Sequence, residues 1–442
     1  MRCSRLEILA VRVALVHDYL NQMGGAEKVL LALHDLFPQA PIYTTIYDRR
    51  RVDPRFQRMD IRTSGLQRMP FIKRHHQPFL PLYPFAFERM DLREYDLVIS
   101  DSSAFAKGIV TRPEALHFCY CHTPMRWAWN YEEYVEREKL GRLARTLLPP
   151  VVTWLRQWDY ATAARVDYFI ANSPPVAARI AKYYRREAVY IPPPVDTSRF
   201  YVAPIHEDYF LIVSRLIPYK RIDLAVRAFT ALGLPLRIVG SGRDEGRLRR
   251  MAGKNVRFLG RLSDDEVRRQ MAHCRAFIFP GEEDFGITAV EAQASGRPVV
   301  AYGAGGATAM IVEGETGYFF HQQTPEALAE VVSKLDDAHF DPQAIRRHAE
   351  EFDTQRFAQQ LLRFIEAKMA AHPTLARLAG LEYRDAGATI AAWSDAEAPA
   401  AGADGTSEDQ PAEAASGIPE GQPAEAGPAE VSAPGPRDTI DG

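Results

Sequence analysis

The chain has 442 residues with 46% hydrophobic content, enough to bury a large core and, at this length, two of them. It has no run of eighteen apolar residues, so a membrane-spanning helix is not expected. Its formal charge is only −3, and its four scattered cysteines suit neither a disulfide framework nor a zinc site. We therefore expect a protein of the reducing cytoplasm without a nucleic-acid partner.

Short β-rich runs alternate with helix-like stretches in the first part of the chain. Several runs are apolar at consecutive positions, which is typical of strands buried on both faces of a parallel sheet. The predicted strands are 11–19, 40–47, 95–101, 116–122 and 166–173.

A second series of strands follows, at 209–215, 234–240, 256–260, 276–281 and 297–303. Between the two series, three prolines in VYIPPPVDTSRF interrupt regular structure and indicate a boundary within 192–199. The pattern predicts two doubly wound α/β domains, 1–195 and 196–353, with a cleft between them.

The last part of the chain contains one amphipathic helix and a polar tail. Apolar residues recur at helical spacing over 354–370, and residues 354–375 either pack back on the first domain or end the second. From Asp395 onward there are eleven acids against one base, so the tail carries −10 and residues 1–394 carry +7. The Ala/Pro/Glu/Gly-rich segment 384–442 is predicted to be disordered.

Gly24 and Gly25 follow the first predicted strand and precede an amphipathic helix. Free backbone amides at the start of a helix attract anions, so this turn is either a phosphate site or a plain left-handed turn. A second glycine-rich turn, IVGSGRDEGRLRRM, partly resembles the fingerprint of a dinucleotide-binding site. Its glycines are spaced one residue too widely, and it lies in the middle of its series.

Basic residues crowd the turn after the strand YFLIVS. Arg215, Lys220 and Arg221 precede a helix, so two or three cations are expected to face the cleft. An arginine fork and a lysine point charge suit a diphosphate.

Carboxylates stand in the otherwise small and apolar stretch GEEDFGITAVEAQASGRPVV (281–300). It predicts a helix over 285–295 with Gly296 at its end. Amides of Gly286, Ile287 and Thr288 would face phosphate oxygens, and Glu283 and Glu291 would bind sugar and ribose hydroxyls. The alternative is a capping acid and a solvated glutamate.

This set of motifs resembles the retaining, nucleotide-sugar-dependent glycosyltransferases of family 4, which have the GT-B fold. The resemblance runs from about residue 11 to residue 369. It implies that Glu283 holds the transferred sugar, that Glu291 binds the ribose, and that Arg215 and Lys220 stabilise the departing diphosphate. It also implies further donor contacts, at Gly24, Gly25, Gly260, Arg261, Phe285, Gly286, Ile287 and Thr288.

The segment CYCHTPMRWAWNY (119–131) adds a second resemblance, to bacterial enzymes that use GDP-mannose in surface-polysaccharide synthesis. It implies that His122, at the end of a strand, faces the donor sugar; a lone histidine is otherwise more often structural. Trp127 and Trp129 either stack on a sugar or pack in the core. One departure is Ala309, where similar enzymes have Glu, which puts the support of the loop 303–306 in doubt.

The resulting prediction is a hexosyltransferase that moves mannose from GDP-mannose to a saccharide or lipid-linked saccharide. Retention follows from the resemblance alone, and no metal cofactor is expected. A UDP-sugar donor, a nucleotide-sugar epimerase and a non-enzymatic nucleotide-binding protein are the alternatives. The basic and aromatic segment 68–87 either contacts an anionic membrane, at the inner face of the cytoplasmic membrane, or lines the cleft.

Overall fold

The computed structural model describes residues 11–131, 142–336 and 339–381, which form two α/β halves. The two doubly wound parallel sheets expected from the sequence are confirmed. Residues 1–10 and the predicted tail, 384–442, lie outside the described residues.

The first half is built on a seven-stranded sheet in which every pair of neighbouring strands is parallel. Its order is β3-β2-β1-β4-β5-β6-β7, and β4 and β5 are buried at every position because helices cover both faces. The strands are β1 (Val13–His17), β2 (Ile42–Thr44), β3 (Ile61–Thr63), β4 (Leu97–Ser102), β5 (Leu116–Cys121), β6 (Tyr168–Ala171) and β7 (Ala188–Tyr190).

Helices of the first half connect successive strands. A 3-10 turn at Ala106–Gly108 follows β4. The helices are α1 (Gly25–Leu36), α2 (Tyr83–Glu88), α3 (Arg126–Trp129), α4 (Arg142–Ala163) and α5 (Pro174–Tyr184).

The second half has a six-stranded parallel sheet of order β10-β9-β8-β11-β12-β13. The order reverses between β8 and β11, and ligands bind at such a switch point beyond the carboxyl ends of the strands. The strands are β8 (Phe210–Val213), β9 (Leu236–Val239), β10 (Val256–Gly260), β11 (Ala276–Phe279), β12 (Val299–Tyr302) and β13 (Gly317–Phe320).

Seven helices lie between or after these strands among the described residues. A 3-10 turn at Pro218–Lys220 leads from β8 into the first of them. The helices are α6 (Ile222–Leu232), α7 (Glu245–Met251), α8 (Asp264–His273), α9 (Ile287–Ala294), α10 (Ala307–Met310), α11 (Pro325–Ser333) and α12 (Pro342–Ala349).

The chain then returns to the first half. Helix α13 (Thr354–Ala370) buries Phe357, Leu361 and Phe364 in the core beneath the first sheet, and α14 (Pro373–Leu378) follows it. The ring of Phe364 lies 5.7 Å from that of Phe118 on β5. Of the two arrangements left open by the sequence, the structure has the one in which this helix packs on the first domain.

Three strands were missed in the sequence, namely β3, β7 and β13. The first two are three-residue strands at the edges of the first sheet, where apolar runs are too short to predict a strand. Strand β7 also ends just before the prolines taken as the boundary between the two domains. That linker is tied down, since the amide of Val195 donates to the Phe352 carbonyl at 2.9 Å.

Candidate functional site

A cavity of about 350 Å³ lies between the two halves. It is lined by the turn after β1, the end of β5, the turn after β8 and the turn between β11 and α9. These are the post-strand positions where doubly wound sheets bind ligands. The structure brings together ten of the predicted site residues here: Gly24, Gly25, His122, Arg215, Lys220, Glu283, Phe285, Gly286, Ile287 and Thr288.

The Gly24–Gly25 turn lies directly opposite α9. A Cβ atom on Gly25 would come within 3.2 Å of Ile287 Cδ1, across the cleft, and one on Gly24 within 3.1 Å of Glu27 Oε2. Helix α1 begins at Gly25 without a side-chain cap. Its first amides have no partner within the helix, so the turn presents donors to the cleft in a place where side chains would crowd.

The turn between β11 and α9 requires glycine. Gly286 has φ +122°, and a Cβ there would lie 2.5 Å from Met310 Cε and 2.6 Å from Phe279 Cζ. Helix α9 begins at Ile287, directly after Gly286 and two residues later than the predicted start at Phe285. Phe285 is buried against Phe352 of the second half, so its side chain holds the turn in place.

The predicted cations after β8 divide into two groups. Lys220 forms an ion pair with the carboxylate of Glu283, and Arg215 donates to Gln22 Oε1 of the first half at 3.4 Å and to Tyr219 OH at 3.2 Å. Arg221 turns away, pairing with Asp223 at 3.5 Å and donating to Gln323 at 2.7 Å. Of the two or three cations expected to face the cleft, Arg215 and Lys220 do so and Arg221 does not.

Glu291, Gly260 and Arg261 are not among the described residues that line the cavity. Glu291 is buried on α9, and its Oε1 accepts from Lys28 Nζ of α1 at 2.5 Å, so it bridges the two halves. Gly260 ends β10 with φ +71° and open space around its Cβ position, and Arg261 donates to Ser241 Oγ at 2.9 Å.

His122 lies at the cavity and contacts a carboxylate that sequence reasoning did not identify. Its Nε2 is 2.5 Å from Asp101 Oδ1, and the other oxygen of Asp101 is 2.8 Å from His17 Nδ1. The signal available in the sequence was position. His17 ends β1, Asp101 is the second-last residue of β4, and His122 directly follows β5. Asp18 was also missed; its carboxylate accepts four backbone amides, from residues 103 to 106.

Arginines of the first half cross the cleft to the acidic turn. Arg126 Nη2 lies 2.5 Å from Asp284 Oδ1, and Arg179 pairs with the same oxygen and, at 3.5 Å, with Glu282. Residues so far apart in the chain show no pairing signal in one sequence. These ion pairs place the first half against the segment that contains Glu283.

The two tryptophans of HTPMRWAW pack. Trp129 stacks on Tyr183 at 4.5 Å and donates to the buried Asp159 at 2.7 Å. Trp127 lies 6.2 Å from the ring of Phe105. Of the two interpretations left open, the structure favours packing for both.

Glycines of the IVGSG turn face backbone. A Cβ on Gly240 would lie 1.9 Å from the Ser214 carbonyl oxygen, and one on Gly242 2.2 Å from that of Leu216. Close approach of the neighbouring turn explains these glycines, and neither lines the cavity.

The loop 303–306, near Ala309, is supported by a backbone hydrogen bond, since the Gly306 amide donates to the Glu283 carbonyl at 2.7 Å.

Segment 68–87 exposes aromatic side chains on the first half. Phe71 is 80% and Phe85 57% exposed, and Phe85 stacks on Trp154 of α4 at 6.0 Å. On its inner side, His76 lies 4.7 Å from the ring of Tyr19, which lines the cavity. In the part of the chain that the structure describes, no helix has the length and apolar character needed to cross a bilayer.

Known families match almost the whole described chain. The model described as "Glycosyltransferase Family 4" matches residues 23–199, and that described as "Glycosyl transferases group 1" matches residues 198–351. The two matches meet at the linker between the halves.

Two curated relatives illustrate the similarity. A GDP-mannose-dependent monoacylated alpha-(1-6)-phosphatidylinositol monomannoside mannosyltransferase of Corynebacterium glutamicum is 36% identical over 152 residues, 31% of this chain and 38% of that protein. O-antigen chain mannosyltransferase C of Escherichia coli is 29% identical over 191 residues, 39% of this chain and 52% of that protein. The matched parts thus span about half of these relatives or less.

Solved structures share the fold. Sucrose-phosphate synthase of Thermosynechococcus elongatus superposes with a TM-score of 0.65 at 18% identity, covering 82% of this chain and 100% of that one. Anabaena HepE in complex with UDP and glucose superposes with a TM-score of 0.61 at 17% identity, covering 80% and 99%. At these identities the likeness shows the two-domain architecture.

Proposed function

Because the chain belongs to the family 4 glycosyltransferases and has the GT-B fold, we propose that it transfers mannose from GDP-mannose to a saccharide or lipid-linked saccharide. The observation that carries this proposal is the Lys220–Glu283 ion pair, which lies in the cleft beside the start of α9 and opposite the Gly25 turn. In a sugar diphosphate, the phosphates are bound by cations and by the amides at a helix start, and the sugar hydroxyls are bound by a carboxylate.

The donor would lie with its diphosphate between the two helix starts. Arg215 and Lys220 supply positive charge. The N–H groups of Gly286, Ile287 and Thr288 at the start of α9 add partial positive charge. Negative charge develops on the leaving diphosphate as the glycosidic bond breaks, so these groups stabilise the transition state more than the bound donor.

Glu283 has a hydrogen-bonding role in this proposal. Its carboxylate forms an ion pair with Lys220. When the diphosphate attracts the lysine, Glu283 is free to accept from hydroxyls of the transferred sugar. Glu291, held by Lys28, would bind the ribose from the second half, and Gly260 and Arg261 would contact the base.

Mannose and guanine are supported by the relatives. Both curated relatives described above are named as mannosyltransferases, and one as GDP-mannose-dependent. The HTPMRWAW segment points in the same direction. A UDP-sugar is the second candidate, favoured by the UDP and glucose bound to Anabaena HepE.

The acceptor side is proposed to be the first half. The exposed Phe71 and Phe85 lie on a segment with Lys73 and Arg74, a combination that suits anionic headgroups and reversible contact with the inner face of the cytoplasmic membrane. Contact between His76 and Tyr19 links this surface to the cavity.

Two features of the chemistry are predictions that need direct tests. Retention of the anomeric configuration follows from family membership, and NMR of the product would establish it. Over residues 11–131, 142–336 and 339–381 there is no group of three or more His, Cys, Asp or Glu residues that could hold a metal ion. Metal independence is expected because cations already face the diphosphate, and turnover unchanged by EDTA would support it.

Thermal shift with GDP, UDP and ADP at equal concentrations tests the donor. Binding to the native state raises the unfolding temperature by mass action, so GDP should give the largest shift and a response to UDP alone would overturn the guanine assignment.

Incubation with GDP-mannose and no acceptor distinguishes a glycosyltransferase from the alternative classes of protein. Complete hydrolysis or 2-epimerisation would indicate an epimerase. A Glu283→Gln variant that leaves the protein's biological output intact would indicate a non-enzymatic binding protein.

A further inference from the structure

Arg126 is a cation of the first half that faces the cavity between the two halves. It begins α3, just beyond the end of β5, and its side chain is 34% exposed. Its Nη2 is 2.5 Å from Oδ1 of Asp284, which also lines the cavity. Asp284 adjoins Glu283, the carboxylate proposed to bind the transferred sugar. Arg126 therefore lies beside the sugar end of the proposed donor site.

Among the described residues of the first half that line the cavity, Arg126 is the only arginine or lysine. Three carboxylates and two histidines form the rest of the charged wall or lie directly behind it, namely Asp18, Glu27, Asp101, His17 and His122. Burial lowers the pKa of His17, but Asp101 and Glu27 raise it to about 10, so one imidazolium serves both carboxylates. Whatever the charge of His122, the carboxylates outnumber the cations here. Positive charge for an anionic ligand must therefore come, on this side, from Arg126.

Asp284 has a second cation, Arg179 of α5. Arg179 pairs with the same oxygen of Asp284 and, at 3.5 Å, with Glu282, but it is not among the described residues that line the cavity. Two guanidinium groups on one oxygen repel each other, and Arg179 by itself keeps Asp284 paired. Arg126 can therefore leave Asp284 without creating an unpaired carboxylate.

The ring of Tyr219 brings Arg126 next to the two cations of the second half. Cζ of Arg126 lies 5.9 Å and Nζ of Lys220 lies 5.2 Å from the centre of this ring, within the range of a cation–π contact. Arg215 donates to the hydroxyl of Tyr219 at 3.2 Å. Cations from both halves thus contact one side chain of the cavity wall, at the proposed position of the diphosphate.

The charges around this ring favour an added anion. Four cations and three carboxylates meet here, namely Arg126, Arg179, Arg215 and Lys220 with Glu282, Glu283 and Asp284. Lys220 is balanced by Glu283, whereas Arg215 contacts the neutral Gln22 and Tyr219. Each phosphate of a diphosphate is negatively charged, so Arg215 alone cannot balance the ligand. A further cation is needed, and Arg126 is within reach.

We propose that Arg126 is a third cation of the diphosphate site and binds the outer phosphate, the one that bears the transferred sugar. When the diphosphate enters, Arg126 exchanges Asp284 for this phosphate, and Arg179 keeps Asp284 paired. A guanidinium group suits this exchange because its fork can donate two parallel hydrogen bonds to a phosphate. The diphosphate is then bound by cations of both halves. The inference rests on the proposed function for the position of the diphosphate.

The test compares nucleoside diphosphates with monophosphates, because only the diphosphate has an outer phosphate. Calorimetry gives the Kd of GDP and GMP, and of UDP and UMP, for each variant of the full chain. We expect Arg126→Gln to lower the ratio of the GMP Kd to the GDP Kd about tenfold, the effect of one lost charge-assisted hydrogen bond. Weaker contact between the halves affects both nucleotides alike and cancels in this ratio.

Two further variants separate a phosphate contact from an ion pair that only joins the halves. Asp284→Asn removes the same ion pair from its other side and releases Arg126, so the ratio should stay or rise. Lys182→Gln removes an exposed cation of α5 and should leave the ratio within about twofold, because salt screens charges outside the cavity.

Either of two results would overturn the inference: a wild-type ratio in Arg126→Gln, or a ratio lowered as much in Asp284→Asn as in Arg126→Gln. Should Arg126→Gln fail to fold, ¹⁵N NMR of labelled arginine side chains in the wild type replaces it. The Arg126 signals, assigned with Arg126→Lys, should then shift with GDP and not with GMP; equal shifts with both would also refute the contact.

Inorganic pyrophosphate separates this inference from the proposed function, because it has neither base nor sugar. If no nucleotide binds but pyrophosphate binds the wild type about tenfold more tightly than Arg126→Gln, the proposed function fails and the cation site stands. If nucleotides bind and neither they nor pyrophosphate distinguish Arg126→Gln from the wild type, the inference alone fails.

Discussion

Lys220 offers the sharpest test of the proposed electrostatic role. Its ammonium group is close to the carboxylate of Glu283, and the two side chains are 13% and 19% exposed. Lys220→Gln keeps a polar side chain of similar length and removes the charge. The neighbouring cation supplies a control, because Arg221 pairs with Asp223 and Gln323 and is not a cavity residue.

The expected size of the effect differs between catalysis and stability. Removing one preorganised group from the developing charge of a transition state costs about 10²–10³ in kcat, or about 3–4 kcal/mol. Loss of this mostly buried ion pair at the edge of a cavity lies between the exposed and the buried cases and costs about 1–3 kcal/mol of the free energy of unfolding. Lys220→Gln should therefore still fold, and it should turn over donor about a hundredfold more slowly.

The assay is release of nucleotide diphosphate with saturating donor, alongside thermal unfolding of each variant. Arg221→Gln should keep kcat within about twofold of the wild type, because it removes a cation at the next position without removing one from the cavity. Equal losses in the two variants, or a Lys220→Gln enzyme with unchanged kcat, would refute the assignment of the diphosphate to this part of the cleft.

Three further predictions concern the glycine turn, the cross-cleft ion pairs and a buried charge. In a urea titration, Gly286→Ala should lower the free energy of unfolding by about 2–4 kcal/mol, because of backbone strain and crowding by Met310 and Phe279. The control Gly233→Ala, with φ +71° but no neighbour within 4 Å, should lower it by only about 1–2 kcal/mol. Arg179→Gln removes the ion pairs with Asp284 and Glu282 and should weaken the contact between the two halves about two- to fivefold, measured as a lower FRET efficiency between labels on each half. Lys182→Gln, exposed on the same helix, should leave the FRET efficiency unchanged. Lys107→Met should lower the free energy of unfolding by about 3–5 kcal/mol, because Lys107 is 1% exposed and its partner Asp159 would be left as a buried, unpaired carboxylate. The control Lys334→Met, which breaks an exposed ion pair with Glu330, should change the urea midpoint little.

Local pattern was sufficient to predict the fold. Runs such as LVISDS and LHFCYC are apolar enough to be buried on both faces, and the proline-rich linker separates two such series, so two parallel sheets could be predicted. Glycines before α1 and α9 also marked two helix starts at the ends of strands. The short edge strands β3 and β7 were missed, because a strand of three residues contains too little pattern to be predicted.

Pairings between distant residues were decided only by the tertiary structure. Lys28 with Glu291, Arg126 and Arg179 with Asp284, and His17 with Asp101 are separated by 84 to 263 positions, and nothing in either local sequence names its partner. Arg215, Lys220 and Arg221 looked equivalent in the sequence, yet the left-handed φ of +51° at Arg221 accompanies a side chain directed away from the cavity.

Residue types and their order along the chain thus determined which groups stand at the ends of strands, because periodicity and turn chemistry are local properties. Which of those groups meet depends on strand order and on contact between the two halves. Placing β4 between β1 and β5 joins Asp101 to two histidines, and contact across the cleft joins first-half cations to second-half carboxylates. Such neighbours are created only when the whole chain folds, since each is held in place by elements remote in sequence.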